Sequence, residues 1–277
     1  MKSVLVTGAG RGIGKAITLR LAEAGWQVYA GVRKPSDGEA LVAANAAIVP
    51  VVLDVTDAEQ IAALDTILPA DLSAIVNNAG TVVDGPVETL SPERLREQFE
   101  VNVFGAVAAT QAVLPRLRAN QGRIVFISSL SGRISTPGTG AYNSSKFALE
   151  GLVDALRIEL RPWRIPVSLI EPGPIATDMW SEAVHMVDNT TARLTPEQTE
   201  LYGTQVAAMR TIAERVNKIA APVSTVVDEV ERALTTRRPK ARYIVGIAGK
   251  LQVLSAAITP TPVLDAIIAL ASGIKRK

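Results

Sequence analysis

Short apolar runs rich in Val, Ile and Leu recur along the chain, separated by longer stretches with a helical repeat. Residues 3–7, 27–31, 48–53, 74–76, 123–128, 167–171 and 242–245 read as strands. Several are nearly continuous in apolar residues, as expected of strands covered on both faces. Between the first two, Ile13, Ala16, Ile17, Leu21 and Ala24 form the stripe of an amphipathic helix, and Gly25 is placed to stop it. Residues 57–68, 92–117, 141–160 and 223–235 carry the same repeat. Ser91 and Pro92 suit the N-cap and first positions of the 92–117 helix. Pro115 lacks an N–H and is expected to end or kink it.

Repeated β-α-β order predicts parallel strands joined by right-handed crossovers, hence a doubly wound α/β sheet in a single domain spanning 1–277. Residues 174–221 interrupt the alternation after the sixth strand and supply no strand. Ligands of such sheets bind beyond the carboxyl ends of the strands, so this segment is expected to be a helical substrate lid. Its Met179, Trp180, Met186, Leu194, Leu201, Tyr202, Val206 and Met209 predict an apolar pocket, and its His185 is read as solvent-exposed. The apolar stretch 262–274 contains Asp265 and precedes Lys275-Arg276-Lys277. It is too short to span a bilayer and is expected to be a docked terminal helix; an interfacial membrane contact is the alternative.

Of 277 residues, 48% are hydrophobic and 20% charged, with a formal net charge of +2. So small an excess gives no nucleic-acid footprint. There is no Cys, and His185 is the only His. Disulfides, thiol nucleophiles and His- or Cys-rich metal sites are therefore excluded, and no metal is expected. The start shows no signal-like apolar region, and no apolar run approaches the ~20 residues of a membrane span. A cytoplasmic protein is expected.

Thr7-Gly8-Ala9-Gly10-Arg11-Gly12-Ile13-Gly14 joins the first strand to the first helix with GxxxGxG spacing at Gly8, Gly12 and Gly14. Glycines there permit a tight turn and close backbone approach to a pyrophosphate, and the helix N-terminus favours the anion. An adenosylmethionine loop or a purely structural turn would show a similar run. After the second strand, Val32 and Arg33 stand where NAD binders usually place an acid for the ribose 2′-hydroxyl. Arg11 and Arg33 together could pair with a 2′-phosphate, which predicts NADP(H) over NAD(H). A solvated turn at Arg33 and Lys34 is the plainer alternative. Asp54, with Val55 beside it, follows the third strand and could meet the adenine amine or cap the next helix.

Tyr142 and Lys146 are spaced i, i+4, so they lie ~40° apart on one helix face. A phenol with a pKa of about 10 is a poor base at neutral pH, and a nearby ammonium should lower that value. Such a pair can exchange a hydroxyl proton while a nicotinamide moves hydride. Ser128 and Ser129 end the fifth strand, and a Ser there can hydrogen-bond a substrate oxygen. Asn102 falls on the apolar stripe of its helix and needs polar partners; it is either a satisfied core residue or a water-holding link from Lys146 to solvent.

With these motifs the chain resembles the classical short-chain dehydrogenase/reductase family over essentially residues 1–250. Thr7 to Gly14 matches TGxxxGxG, Asn77-Asn78-Ala79-Gly80 matches NNAG, and Pro172 to Thr177 matches PGxxxT. Asn102, Ser129, Tyr142 and Lys146 match the family's catalytic tetrad in order and spacing. The resemblance implies a Rossmann-type fold and hydride exchange between the cofactor and an alcohol or carbonyl. It implies Tyr142 as general acid/base, and Lys146 as holder of the nicotinamide ribose and depressor of the tyrosine's pKa. Ser129 would orient the substrate oxygen and Asn102 would maintain a proton relay. Asn78, Ala79 and Gly80 would line the adenosine side; Pro172, Gly173, Ile175 and Thr177 would flank the nicotinamide. Residues 145–152 and 171–174 are similar to the 17β-hydroxysteroid and retinol dehydrogenase branch, implying a bulky apolar alcohol or ketone as the small-molecule substrate. A non-catalytic nucleotide-binding regulator, or an epimerase or dehydratase of the extended group, would keep the glycine loop. Intact Tyr142 and Lys146 argue against the first, the loop spacing against the second.

The helix bearing Tyr142 has three faces. Leu149, Val153, Leu156 and Leu160 are expected to face the sheet, while Glu150, Asp154, Arg157 and Arg161 form a narrow polar stripe. Phe147, Ala148, Gly151, Leu152, Ala155 and Ile158 remain on a third, mostly apolar face. That face predicts a homodimer or homotetramer, which the family resemblance also implies; cover by the chain's own C-terminal segment is the alternative.

Overall fold

The computed structural model describes residues 2–176 and 178–274, with only the backbone path for 178–185 and 215–219. Seven strands, β1 (Ser3–Val6), β2 (Gln27–Val32), β3 (Ile48–Val52), β4 (Ala74–Asn77), β5 (Arg123–Ile127), β6 (Val167–Glu171) and β7 (Arg242–Ile244), form one sheet. Their order is β3-β2-β1-β4-β5-β6-β7 and every pairing is parallel. The strands agree with the expected positions to within a residue at either end.

Alternation along the strands sets the layers, because successive side chains point to opposite faces. Val4 and Val6 of β1 join a core with Ile17 and Leu21 of α1 (Gly12–Glu23) and Val226 and Val230 of α9 (Ser224–Thr235). Leu5 joins the opposite core. There it meets Leu64 of α3 (Ala58–Ile67), Val113 of α5 (Ala106–Ala119) and Leu149 and Val153 of α6 (Gly140–Glu159). Both sheet faces are thus covered, as the apolar runs require.

Three departures from the expected helices have physical causes. Residues 35–44 form α2 (Pro35–Ala44), absent from the reading above; Gly38 interrupts the pattern and only Gly38 and Leu41 are buried. The 92–117 helix is α4 (Pro92–Phe99), a π-helical turn at Glu100–Gly105, and α5. Pro115 does not end it. The helix continues to Ala119, and Pro115 and Gln111, whose carbonyl loses its partner, are both exposed.

After β6 the chain leaves and re-enters at one neck. The Ala176 N–H donates to the Ala221 carbonyl at 2.8 Å, and the Ala221 N–H to the Pro174 carbonyl at 2.9 Å. Between these points lie α7 (Asp178–Arg193) and α8 (Pro196–Ile219), packed along each other. Thr195 and Gln198 form a reciprocal capping box at the start of α8. Val187 and Val206 are buried, whereas Leu201 is exposed. Met179, Trp180 and His185 lie outside the residues with described side chains. Two further helices follow β7: α10 (Ile247–Ile258) and α11 (Thr261–Ala271). The terminal helix is docked only in part: Leu264, Ile268 and Ala269 of α11 are half-buried, and no residue of it is fully buried.

Candidate active site

In the sheet β1 lies between β2 and β4, so the chain winds outward on both sides and opens a crevice at the carboxyl ends. The glycine loop after β1 sits there. Gly8 has φ +65°, and a Cβ on it would stand 2.9 Å from Ala79 Cα. A Cβ on Gly14 would come within 2.2 Å of the Gly8 carbonyl oxygen. Side chains at these places would fill the cradle. No side chain caps the N-terminus of α1, and no acid stands in its first turn. Those free N–H groups and the helix dipole suit a pyrophosphate. Gly12 and Ile13 begin this helix; Arg11, at its N-cap position, is exposed.

The segment after β4 is tied to this loop. Thr7 Oγ1 accepts the Asn78 and Ala79 N–H groups, both at 3.0 Å. Asn78 Nδ2 donates back to the Thr7 and Gly8 carbonyls at 3.0 and 3.1 Å. Asn78 therefore braces the glycine loop from across the switch point, with Ala79 and Gly80 following it at the crevice.

At the adenosine end, Arg33 is exposed after β2. Burial raises the Asp54 carboxyl, but hydrogen bonds from Thr56, aided by the Arg33 charge, hold it below its usual range. Asp54 accepts both the Thr56 N–H and hydroxyl, at 3.0 and 2.7 Å. It is not the cap of α3; Asp57 is, accepting from the Glu59 and Gln60 N–H groups. Val55 is buried against Gly105. The sequence reading missed Asp37 in the first turn of α2, whose Oδ2 lies 2.8 Å from where a Gly10 Cβ would be. A carboxylate thus stands beside the glycine loop, although none stands at Val32.

The tetrad candidates converge from three places: the π-helical turn, the end of β5 and α6. Tyr142 and Lys146 lie on one face of α6, with the ammonium 5.7 Å from the ring centroid. Lys146 is buried and donates to the Ile127 carbonyl at 2.9 Å, at the end of β5. Burial lowers its pKa to about 8. Burial also pushes the Tyr142 phenol up, and a hydrogen bond with Ser129 pulls it down. The lowering expected from Lys146 is not found: the phenol is raised overall by burial, and Ser129 alone acts to lower it. Ser129 Oγ accepts the Ser131 N–H at 3.1 Å and reaches the Pro172 carbonyl at 3.5 Å. Pro172, Gly173 and Ile175 follow β6 into this same region, with Ile175 buried; Thr177 lies outside the described residues.

Asn102 sits in the π-helical turn, fully engaged. Its Nδ2 donates to the Thr81 carbonyl at 3.0 Å and to Ser145 Oγ at 3.1 Å, and its Oδ1 accepts the Thr81 N–H at 2.8 Å. Gln98, not singled out above, holds the same strand of chain: it accepts the Val83 N–H at 2.6 Å and donates to the Thr81 carbonyl at 2.8 Å. Its burial was the only available signal, and polarity within α4 hid it.

A glycine cradle at the switch point with a Tyr–Lys helix beside it defines a dinucleotide-dependent oxidoreductase. The short chain dehydrogenase family profile matches residues 2–188, and the chain belongs to that family. It is 36% identical over 256 residues to an NADPH-dependent 3-dehydrocapnine reductase of Ornithobacterium rhinotracheale, covering 88% of each chain. It is 34% identical over 282 residues to retinol dehydrogenase 5 of Mus musculus, covering 96% of this chain and 87% of that one. Among solved structures it resembles a Burkholderia cenocepacia short chain dehydrogenase in complex with NADP, with TM-score 0.74, 29% identity and 97% and 99% coverage of the two chains. It likewise resembles one from Burkholderia phymatum in complex with NAD, with TM-score 0.76, 25% identity and 91% and 92% coverage. The protein is an oxidoreductase that binds a nicotinamide cofactor. No helix among the described residues is long and apolar enough to cross a membrane.

Proposed function

We propose that the protein exchanges hydride between NADP(H) and a bulky apolar secondary alcohol, ketone or aldehyde, in the cytoplasm. The observation that carries this reading is the pairing of half-buried Tyr142 with buried Lys146 on α6 beside the Ser129 hydroxyl. The bound nicotinamide supplies or receives the hydride. Ser129 and Tyr142 hold the substrate oxygen, and the Tyr142 hydroxyl delivers its proton to that oxygen in reduction and recovers it in oxidation. Lys146 braces the phenol and the nicotinamide ribose, and Asn102 fixes the π-helical turn against α6 and maintains the proton relay.

Gly8, Arg11, Gly12, Ile13 and Gly14 would hold the pyrophosphate and Arg33 the 2′-phosphate. Asp54 and Val55 would meet the adenine, Asn78, Ala79 and Gly80 the adenosine ribose side, and Pro172, Gly173, Ile175 and Thr177 the nicotinamide. The NADPH-dependent relative and the NADP-bound neighbour support the cofactor preference; a retinol dehydrogenase among the relatives supports an apolar alcohol. The excursion 176–221, joined at its neck, is the lid of a single catalytic domain. Its α7 is tied to the loop after β4 where Thr190 Oγ1 donates to buried Asp84 at 2.9 Å.

The test is a panel of apolar ketones and alcohols with each nicotinamide cofactor, run on wild type and Tyr142→Phe. Removing only the acidic proton should lower kcat by at least about 10²-fold while NADPH still binds by fluorescence titration. Near-normal turnover of the variant would overturn the assignment.

A further inference from the structure

Helices α10 and α11 present apolar surface that nothing among the described residues covers. On α10, Ile247, Leu251, Leu254 and Ile258 recur at i, i+4, i+7 and i+11, and all four are exposed. Only Gly249 and Val253 of that helix are buried. On α11, Val263, Ile267 and Leu270 form a second exposed stripe, with Leu270 83% accessible. Their inner sides touch the body only lightly: a Cβ on Gly249 would lie 3.3 Å from Leu130 and 3.4 Å from Ile244. Helices of 11 or 12 residues are marginal in water by themselves, and exposed apolar area of this extent marks an interaction surface.

The chemistry of the stretch points to lipid as the occupant. Asp265 is the one ionisable residue of α11, which is otherwise apolar around its circumference. Leu264, Ile268 and Ala269 are half-buried by the chain itself, so the side left for an apolar medium is that of Val263, Ile267 and Leu270. The helix length, about 16 Å, is roughly half the ~30 Å of a bilayer's hydrocarbon, so it can enter one leaflet without crossing. From residue 247 onward the sequence carries four cations, Lys250, Lys275, Arg276 and Lys277, against the single carboxylate of Asp265. That balance complements anionic headgroups. The patch also adjoins the excursion after β6: Ser272 and Ile274 share a small cavity with Met209 and Ile212 of α8 and with Pro137 and Gly138, just before α6.

We propose that α10 and α11 dock the protein on an anionic membrane surface, with α11 inserted into one leaflet. The docking does not depend on the substrate assigned above, and its test reads no turnover. The full chain is floated with vesicles of phosphatidylcholine alone and of phosphatidylcholine mixed with phosphatidylglycerol. The wild type should float with the anionic vesicles, less so as salt is raised. Ile267→Glu with Leu270→Glu should reduce the bound fraction by about tenfold or more. So should Leu251→Glu with Leu254→Glu, both pairs keeping the wild-type circular dichroism and thermal transition. K275Q/R276Q/K277Q should weaken binding to the anionic vesicles alone. A wild type that floats with neither vesicle overturns the proposal. So do glutamate variants that float like wild type, or variants whose main effect is a smaller mass by light scattering, which would assign the face to a second copy.

Discussion

Asn102 Nδ2 donates to Ser145 Oγ at 3.1 Å, and Ser145 Oγ donates onward to the Tyr142 carbonyl at 2.7 Å. The pair locks the π-helical turn to α6 one residue before Lys146. Asn102→Ala would leave the half-buried Thr81 N–H without its partner, at a cost of about 1–2 kcal/mol. The denaturation midpoint should fall accordingly, and kcat should fall more than KM rises, because the loss is one of alignment. Ser145→Ala should show the same split more mildly. A variant losing stability but keeping full kcat would separate the turn from the chemistry.

Lys146 gives the apoprotein a distinctive pH dependence. Its pKa is lowered from 10.5 to about 8 by burial. Between those values the unfolded chain binds more protons than the folded one, so stability rises with pH. The gain is at most about 3 kcal/mol. Above about pH 10 the raised Tyr142 phenol works the other way, since the unfolded tyrosine ionises first. Urea midpoints should therefore climb from pH 8 towards pH 10 and then level. Lys146→Met should abolish the climb; a wild-type midpoint flat across this range would show that the ammonium is better solvated than its burial implies.

What could be read from the sequence was local. The glycine loop, the strands and the Tyr142–Lys146 spacing each lie within a short window, and each appears where expected. The π-helical turn left no mark, because Glu100 to Gly105 continues the helical pattern of its neighbours. Glu150 was assigned to a polar stripe, yet it is buried. Its partner is Arg242, 92 residues away, which also binds Glu171 at 2.8 Å and Asp154 at 2.5 Å. Periodicity reports which face a residue occupies, and cannot report a cation brought in by another strand. Asp37 escapes for a different reason: α2 buries only Gly38 and Leu41, so no clear stripe marks it, and the approach of Asp37 to Gly10 goes unread with it.

That Arg242 cluster carries its own prediction. Glu171 is fully buried, and burial raises its carboxyl and lowers Arg242. Arg133 stands 3.7 Å from Glu171 and supplies a second, weaker cation. Arg242→Met should destabilise by about 2–4 kcal/mol, less than a wholly buried pair because Arg242 keeps some solvent contact. As pH falls, Glu171, raised by burial, takes up a proton, and the gap from wild type should narrow. A gap that stays constant into acid would mean that packing, and not charge, is lost.

Cofactor choice can be tested at Arg33. It is exposed, and its charge reaches Asp54. Arg33→Ala should weaken NADPH about ten- to a hundredfold and leave NADH nearly unchanged. Asp37 stands beside Gly10, where its charge would oppose a 2′-phosphate, so Asp37→Asn should shift preference further towards NADPH. Fluorescence titration with both cofactors decides; equal losses for Arg33→Ala would reject a phosphate-specific role.

The remaining prediction concerns self-association through α6. Leu149, Val153 and Leu160 are buried against the sheet, as their stripe requires. On the third face Phe147, Leu152 and Ile158 are exposed, Ala155 is exposed beside them, and a Cβ on Gly151 would meet nothing within 4 Å. The chain's own C-terminal helices do not provide the cover, since neither α10 nor α11 packs along α6. Ala148, Gly151 and Ala155 form a small-residue track along which a second helix can approach closely. A two-fold axis would set this face against itself, and Phe104, exposed in the nearby π-helical turn, would extend the contact. Light scattering should report a dimer or tetramer for the wild type. Gly151→Arg places a long cation on the track without disturbing the buried stripe, so it should yield a folded, smaller species. A wild type that remains monomeric as concentration rises would remove α6 as an interface and leave its apolar face solvent-exposed.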